Sequence, residues 1–390
     1  MVSDRAALLN QMPKKIMLIA GEASADLHAS ALILKLRELD PEIEVYGVGG
    51  ENSRKAGARI WFDFSRMGVV GILEAIPKLR FFLKARARLS QSIETEKPDL
   101  VILLDLPDFN LSLAKKIKKK KPGQKIAYYI SPQVWAWRGG RVKIIRKYID
   151  QMLVIFPFEE EFYRQAGVPV KFVGHPLLAR VRSEKSREQL RAGFGVKPDE
   201  LLLVFMPGSR KEELKVYLPP ALAGLERLQK EFPLRAMMPL APTLSGELVQ
   251  SYLSRSRARL EVVSGKTYDL LFAGDLGLIG SGTATLEAAL AGLPMLILAR
   301  SSTVNYWLAR FFVHTEFYGL PNLIAGKEIA KELFMYQVNP DQIYLDLKKL
   351  IASPEQRARM KSELIQIRGR LGEKDASAEA GRAILAMIKS

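Results

Sequence analysis

Ser281, Gly282 and Thr283 stand between an apolar run and a helical stretch, with Glu287 about one turn further on. A helix that starts there aims unpaired N–H groups and the positive end of its dipole at whatever lies beyond the apolar run, which suits a phosphate. Glu287 is too deep to crowd that phosphate and could accept hydrogen bonds from neutral hydroxyls such as those of a ribose. Together they suggest a nucleotide. The same residues also read as a plain helix cap with an acid in its first turn. Arg210, just past Gly208 and Ser209, carries a guanidinium able to grip two phosphate oxygens at once, which fits a diphosphate, unless it is a surface arginine in a turn.

A different chemistry is suggested at Asp105, which ends the apolar run 100–104. A carboxylate at such a strand end is partly desolvated, which raises its pKa and suits it to accept a proton. Asp108 falls where the next helix begins and reads as its cap. Gly21-Glu22-Ala23-Ser24-Ala25-Asp26 combines a glycine turn with a helix start at Leu27. Ser24 could cap that helix, or the turn could hold part of an anionic ligand. The segment from Ser131 to Arg138 carries Trp135 and Trp137 beside Pro132 and reads as an apolar wall for a ligand or a packed corner. Asn322 offers an amide in a loop.

These clusters need elements to position them. Apolar runs at 16–20, 45–48, 100–104, 126–130 and 151–155 read as strands, with helices at 27–39, 78–96 and 109–121 among them. A second series has strands near 201–206, 234–239, 260–263, 276–279 and 294–298. The alternation predicts an α/β fold with two doubly wound parallel sheets in tandem, joined near 176–200 and facing a cleft. At 390 residues the chain is too long for one ordinary core.

Composition limits the partners. The chain has no cysteine, so a disulfide framework or a thiolate metal site is excluded, and His28, His175 and His314 are scattered, so no metal is expected. With Arg210 and a helix dipole available, a departing diphosphate needs no cation. Net charge is +17 (59 basic against 42 acidic side chains), which implies an anionic partner. No apolar run reaches the ~18 residues of a membrane span. Residues 67–89 mix apolar and basic side chains, and Met67, Val69, Val70, Phe81, Phe82, Lys84, Arg86 and Arg88 read as a contact with anionic lipid. The lysine-rich stretch 115–125 reads as a solvated helix face.

Taken together, GEASAD (21–26), MGVVGILE (67–74), DLPDFN (105–110), SPQVWAWR (131–138), FPFEEEFY (156–163), FVGHPL (172–177), PGSR (207–210), SGTATLEAAL (281–290) and LPNLIAG (320–326) resemble the lipid-A-disaccharide synthases, in family order over nearly the whole chain. The resemblance implies a GT-B fold of two Rossmann-like domains. It implies an acceptor-binding, membrane-contacting domain at 1–180, completed by a C-terminal helix at 365–390, and a UDP-sugar domain at 181–364.

The implied reaction joins UDP-2,3-diacylglucosamine to 2,3-diacylglucosamine 1-phosphate (lipid X), with inversion, and releases UDP. Asp105 would be the base. Arg210, Ser281, Gly282, Thr283, Glu287 and Asn322 would serve the donor, and Glu22 and Ser24 match further functional positions. No cofactor and no nucleic acid are implied. The implied location is cytoplasmic, on the inner face of the inner membrane, and a homodimer is allowed. Ala25 departs from the glycine usual in the family, which would be costly if the position needs positive φ. Two rival readings are a UDP-N-acetylglucosamine 2-epimerase on similar architecture and a basic nucleic-acid-binding protein.

Overall fold

The structure, a computed structural model, describes residues 13–64, 75–132, 134, 140–299 and 317–389. The chain forms two compact units. One comprises Met1–Pro176 together with Lys374–Ser390, the other Leu177–Glu373.

The first unit is built on seven strands: β1 (Lys15–Ala20), β2 (Glu44–Val48), β3 (Arg59–Phe62), β4 (Leu100–Leu104), β5 (Lys125–Tyr129), β6 (Gln151–Val154) and β7 (Val170–Phe172). They lie side by side in the order β3-β2-β1-β4-β5-β6-β7, and every pairing is parallel. The second unit has β8 (Leu201–Met206), β9 (Leu234–Leu240), β10 (Leu260–Ser264), β11 (Leu276–Gly280), β12 (Met295–Ala299) and β13 (Glu332–Phe334). Their order is β10-β9-β8-β11-β12-β13, again all parallel. A parallel sheet covered by helices on both faces must be apolar on both, so its inner strands appear as unbroken apolar runs. β4 and β12 are buried along their whole length.

Strands β3, β7 and β13 escape a sequence reading for the same reason in reverse. They are three or four residues long, lie at sheet edges and keep exposed or half-exposed residues. The run at 126–130 ends a residue early because Ile130 turns to φ 62°.

In each sheet the chain first adds strands on one side of its opening strand, then switches to the other. The switch falls between β1 and β4 in the first unit and between β8 and β11 in the second. Ligands of open α/β sheets bind beyond the carboxyl ends of the strands at such a point. Register makes the placement sharp. Ala20 pairs with Leu104, so Glu22 and Asp105 leave the sheet nearly level. Ile279 pairs with Met206, so the turns at 207–210 and 281–283 do the same.

Two boundaries differ from expectation. The first helix is Ala23–Leu39, with Glu22 at its cap position, so Ser24 lies in the first turn and is not the cap. Ala25 is therefore helical and 4% exposed, and the missing glycine costs nothing. The expected helix at 365–390 is two helices: Pro354–Arg370 belongs to the second unit, and Ala376–Lys389 to the first. The latter packs on the helix Ala23–Leu39, where a Cβ at Gly381 would meet Leu39 at 3.3 Å. Lys125 Nζ also donates to the carbonyl of Met387 at 2.7 Å.

Candidate active site

In the first unit, Asp105 and Leu106 have φ of 56° and 39°, a left-handed conformation that non-glycine residues rarely adopt. Local strain of about 1–2 kcal/mol per residue has to be held by the surroundings. Two neighbours hold it. Asn110, fully buried one turn into the helix Pro107–Lys120, donates from Nδ2 to the carbonyls of Leu104 (2.9 Å) and Asp105 (2.6 Å). Tyr128 on β5 donates its hydroxyl to the same Asp105 carbonyl at 2.6 Å. The kink turns the Asp105 side chain off the line of the strand.

The Asp105 carboxyl is half-buried, and its Oδ2 is buried without a hydrogen-bond partner. Burial pushes its pKa above the usual carboxylate range, and the neighbouring Glu22 carboxylate pushes it further in the same direction. An acceptor oxygen with no donor and a raised pKa is what proton abstraction requires. Gly21 leaves room for the Leu106 side chain, which a Cβ there would overlap. Ser24 and Glu22 are exposed beside it.

The other acids nearby are structural. Asp26 takes N–H bonds from Gly50 (2.7 Å), Asn52 (3.0 Å) and Ser53 (3.1 Å) and so caps the helix Glu51–Lys55. Burial alone would raise its pKa, but these bonds and one from the Ser53 hydroxyl hold it below the carboxylate range. Asp108 pairs with Arg141 at 2.5 Å. In the next loop Ser131 and Tyr163 share a hydroxyl–hydroxyl hydrogen bond of 2.8 Å. Trp135, Trp137 and Arg138 lie outside the described residues.

In the second unit, Gly282 occupies φ 125°, a conformation that favours glycine, and an added Cβ would meet nothing within 4 Å. The face before the helix Thr283–Leu290 is thus open, with Thr283 exposed on it. Neither Ser281 nor Thr283 is a conventional cap. Gly282 holds the cap position, and the Ser281 hydroxyl instead donates to the Tyr318 carbonyl at 2.9 Å. Glu287 accepts a 3.1 Å hydrogen bond from the Tyr268 hydroxyl. Burial raises its pKa, while Tyr268 and Arg180 oppose the rise. Tyr268 and Arg180 were not foreseen, since nothing in their spacing links them to Glu287.

Arg210 stands at the cap position of the helix Lys211–Glu231, its side chain 80% exposed and 3.6 Å from Glu213. The amides of Ser209 and Arg210 already donate to Glu213 Oε2, at 2.9 and 3.0 Å. Those two amides are therefore not left to meet an anion, whereas the guanidinium is largely exposed. Gly208, at φ 115°, is required because a Cβ would fall 2.1 Å from the same carboxylate oxygen.

Asn322 lies in the helix Leu320–Ala325 and not in a loop. It is fully buried, and both ends of its amide are used: Nδ2 donates to the Ala330 carbonyl (2.6 Å) and Glu332 (2.8 Å), and Oδ1 accepts from Ile329 (2.8 Å) and Ala330 (3.0 Å). It ties the helix Leu320–Ala325 to the entry of β13.

The expected lipid-contacting face is also rearranged. Met67, Val69 and Val70 lie outside the described residues. Phe81 and Phe82 are half-buried and join a cluster with Phe62, Phe64 and Phe109, at centroid separations of 5.7 Å (Phe62–Phe81), 5.0 Å (Phe64–Phe82) and 5.8 Å (Phe82–Phe109). Arg86 turns inward and donates to the Ser112 hydroxyl at 2.7 Å. Lys84 and Arg88 are exposed, Arg88 lying 5.3 Å from the Trp61 ring centroid. In the lysine-rich stretch, Lys118 pairs with Asp150 (2.8 Å) and Lys120 with Glu94 (3.5 Å), as a solvated helix face does.

Residues 16–386 match the family described as lipid-A-disaccharide synthetase. The chain is 40% identical over 378 residues to the lipid-A-disaccharide synthase of Syntrophus aciditrophicus, covering 96% of this chain and 98% of that one. It is 37% identical over 377 residues to that of Myxococcus xanthus, with the same coverage of 96% and 98%. Among solved structures, it superposes on UDP-GlcNAc 2-epimerase from Neisseria meningitidis bound to UDP-GlcNAc with a TM-score of 0.63 at 13% identity, covering 96% of this chain and all of that one. With the calicheamicin glycosyltransferase CalG4 the TM-score is 0.59 at 15% identity, covering 97% and 98%. At such identities the structural likeness shows the two-domain GT-B fold alone, which transferases and epimerases share.

Proposed function

This chain belongs to the lipid-A-disaccharide synthase family, glycosyltransferases of lipid A biosynthesis, and from that premise we propose how its two units divide the reaction. The first unit activates the acceptor and the second holds the donor. The acceptor is 2,3-diacylglucosamine 1-phosphate and the donor UDP-2,3-diacylglucosamine. Asp105 takes the proton of the acceptor 6-hydroxyl, whose oxygen forms a bond to the anomeric carbon of the donor. The bond from that carbon to the diphosphate breaks from the opposite face, the electron pair leaves with UDP, and the new linkage is β-1,6.

The observation that carries this reading is the half-buried Asp105 carboxyl at the switch point of its sheet, with Oδ2 left without a partner and a raised pKa. At the other sheet's switch point, Arg210 offers a largely exposed guanidinium, paired at 3.6 Å with Glu213, whose planar fork can meet two oxygens of the diphosphate. The Ser281 amide is held by the Leu298 carbonyl, so the open turn offers the N–H groups of Gly282 and Thr283 at the same switch point, and Glu287 accepts from the ribose hydroxyls. Glu22 keeps the Asp105 proton affinity high, and Ser24 lies beside the acceptor. Neither an epimerase nor a nucleic-acid-binding role is favoured, since the family match spans nearly the whole chain.

Among the described residues no helix is long and apolar enough to cross a membrane. We place the enzyme peripherally, on the inner face of the inner membrane, where exposed Lys84 and Arg88 meet anionic lipid. A homodimer is part of the same proposal, on family grounds alone.

The test incubates the purified protein with both lipid substrates, with and without EDTA. Disaccharide and UDP should form in both. No product from a folded protein would reject the reaction, and loss of product with EDTA would reject a departure of UDP without a cation.

A further inference from the structure

The ground next to Asp105 is hollow. Phe82, Leu83, Leu106 and Phe109 line a cavity of about 390 Å³, with Arg86 and Ser112 also in its wall. The hollow is open to solvent, and covering its four large apolar side chains with an apolar occupant removes that surface from water. A second hollow, of about 270 Å³, includes Lys115 and Arg141 in its lining. The two share Pro107, Asp108 and Ser112, so the first turns of the helix Pro107–Lys120 make a ridge between an apolar hollow and a cationic one.

Charge fixes the chemistry of the occupant. Arg86, Lys115 and Arg141 stand around this ridge against one carboxylate, Asp108, which Arg141 already engages at 2.5 Å. The surplus of positive charge attracts an anion. Position fixes which amphiphile it is, because Leu106 in the apolar wall directly follows Asp105 in the chain. A molecule with its alkyl part against Leu106 and its anion at the ridge is held next to the turn that carries Asp105.

We infer that these adjoining hollows are the seat of the acceptor: one acyl chain lies among Phe82, Leu83, Leu106 and Phe109, and the sugar phosphate meets Arg86, Lys115 and Arg141. This rests on the reading of Asp105 as the base. It also reassigns Phe82 and Arg86 from the bilayer to the substrate.

Two variants test it. Ser112→Phe fills the ridge, and Lys115→Gln removes one exposed cation without touching the core. Steady-state kinetics should show Ser112→Phe raising the acceptor KM by about tenfold or more with the donor KM unchanged, as loss of a well-filled contact does. Lys115→Gln should raise the KM for the phosphorylated acceptor by about threefold, and this penalty should vanish with an acceptor that lacks the phosphate.

Binding of detergent-solubilised diacylglucosamine 1-phosphate, followed by calorimetry without donor, supplies a readout independent of turnover. It should weaken in both variants. Unchanged acceptor KM and binding in both would overturn the seat while leaving the transferase reading intact. Binding that depends on Ser112 and Lys115 in a protein that forms no disaccharide would do the reverse. Sedimentation with phosphatidylglycerol vesicles should be the same for wild type and Ser112→Phe. A loss there, with acceptor KM unmoved, would make the hollow a bilayer contact and overturn the proposal. If Ser112→Phe does not fold, Lys115→Gln with the two acceptors decides alone.

Discussion

Tyr128 donates its hydroxyl to the Asp105 carbonyl at 2.6 Å, tying the backbone of the proposed base to the neighbouring strand of the sheet. Tyr128 is fully buried, so the bond is made away from competing water. Burial raises the Tyr128 pKa and keeps the hydroxyl protonated as a donor.

Tyr128→Phe should therefore cost about 1 kcal/mol of stability, the usual net worth of one such bond. More tellingly, kcat should fall by about tenfold with both KM values unchanged, because the left-handed turn then rests on Asn110 alone. A rise in KM with normal kcat would show that Tyr128 does not act through Asp105.

Asp105→Asn should lower kcat by ~10²–10⁴-fold, the range of a general base, while UDP affinity survives. It should also change the pH dependence of stability. A carboxyl whose pKa is raised by folding binds its proton more tightly in the folded state. Its contribution is complete below its unfolded pKa and is lost as pH rises through the folded value. Asparagine cannot ionise, so the variant should melt higher than wild type at pH 8, and the gain should shrink in acid. A gain that grows towards acid would contradict the raised pKa.

Glu22→Gln removes the neighbouring negative charge that helps to raise the Asp105 pKa. The acid limb of kcat/KM should move to lower pH, since Asp105 then loses its proton more readily. A shift to higher pH, or none, would separate Glu22 from the base.

In the second unit, Glu287→Gln should weaken UDP binding by roughly 10–100-fold, because a hydrogen bond to a charged group is worth about 1.5–3 kcal/mol. Tyr268→Phe frees Glu287 from its 3.1 Å partner and should cost about fivefold. Calorimetric titration with UDP checks both, and unchanged affinity in Glu287→Gln would remove that residue from the nucleotide site.

Asn322→Ala should act on stability first. It leaves the half-buried amide of Ile329 and the buried amide of Ala330 without their acceptor, a loss of roughly 2–4 kcal/mol. Urea titration measures it. A variant of normal stability but weak donor binding would return Asn322 to the ligand.

The apolar runs by themselves determined the inner strands of both sheets, because a strand buried on both faces must be apolar throughout. From these runs came the strand ends, and with them Asp105, Arg210 and Ser281 as residues placed where a doubly wound sheet binds. Short partly exposed edge strands such as Val170–Phe172 left no such trace. What each side chain does was decided only by tertiary structure. Asn110 and Asn322 look alike in the sequence, yet one holds the turn at the proposed base and the other ties a helix to an edge strand. Phe82 and Arg86 sit in a basic apolar helix, and only packing against Phe109 and Ser112 turns them inward. Tyr268 meets Glu287, and Glu22 meets Asp105, through pairings between elements far apart in the chain. Periodicity records which residues are buried. It carries no information about which buried or half-buried groups face one another, and so it shows the burial that raises the Asp105 pKa but not the Glu22 carboxylate that raises it further.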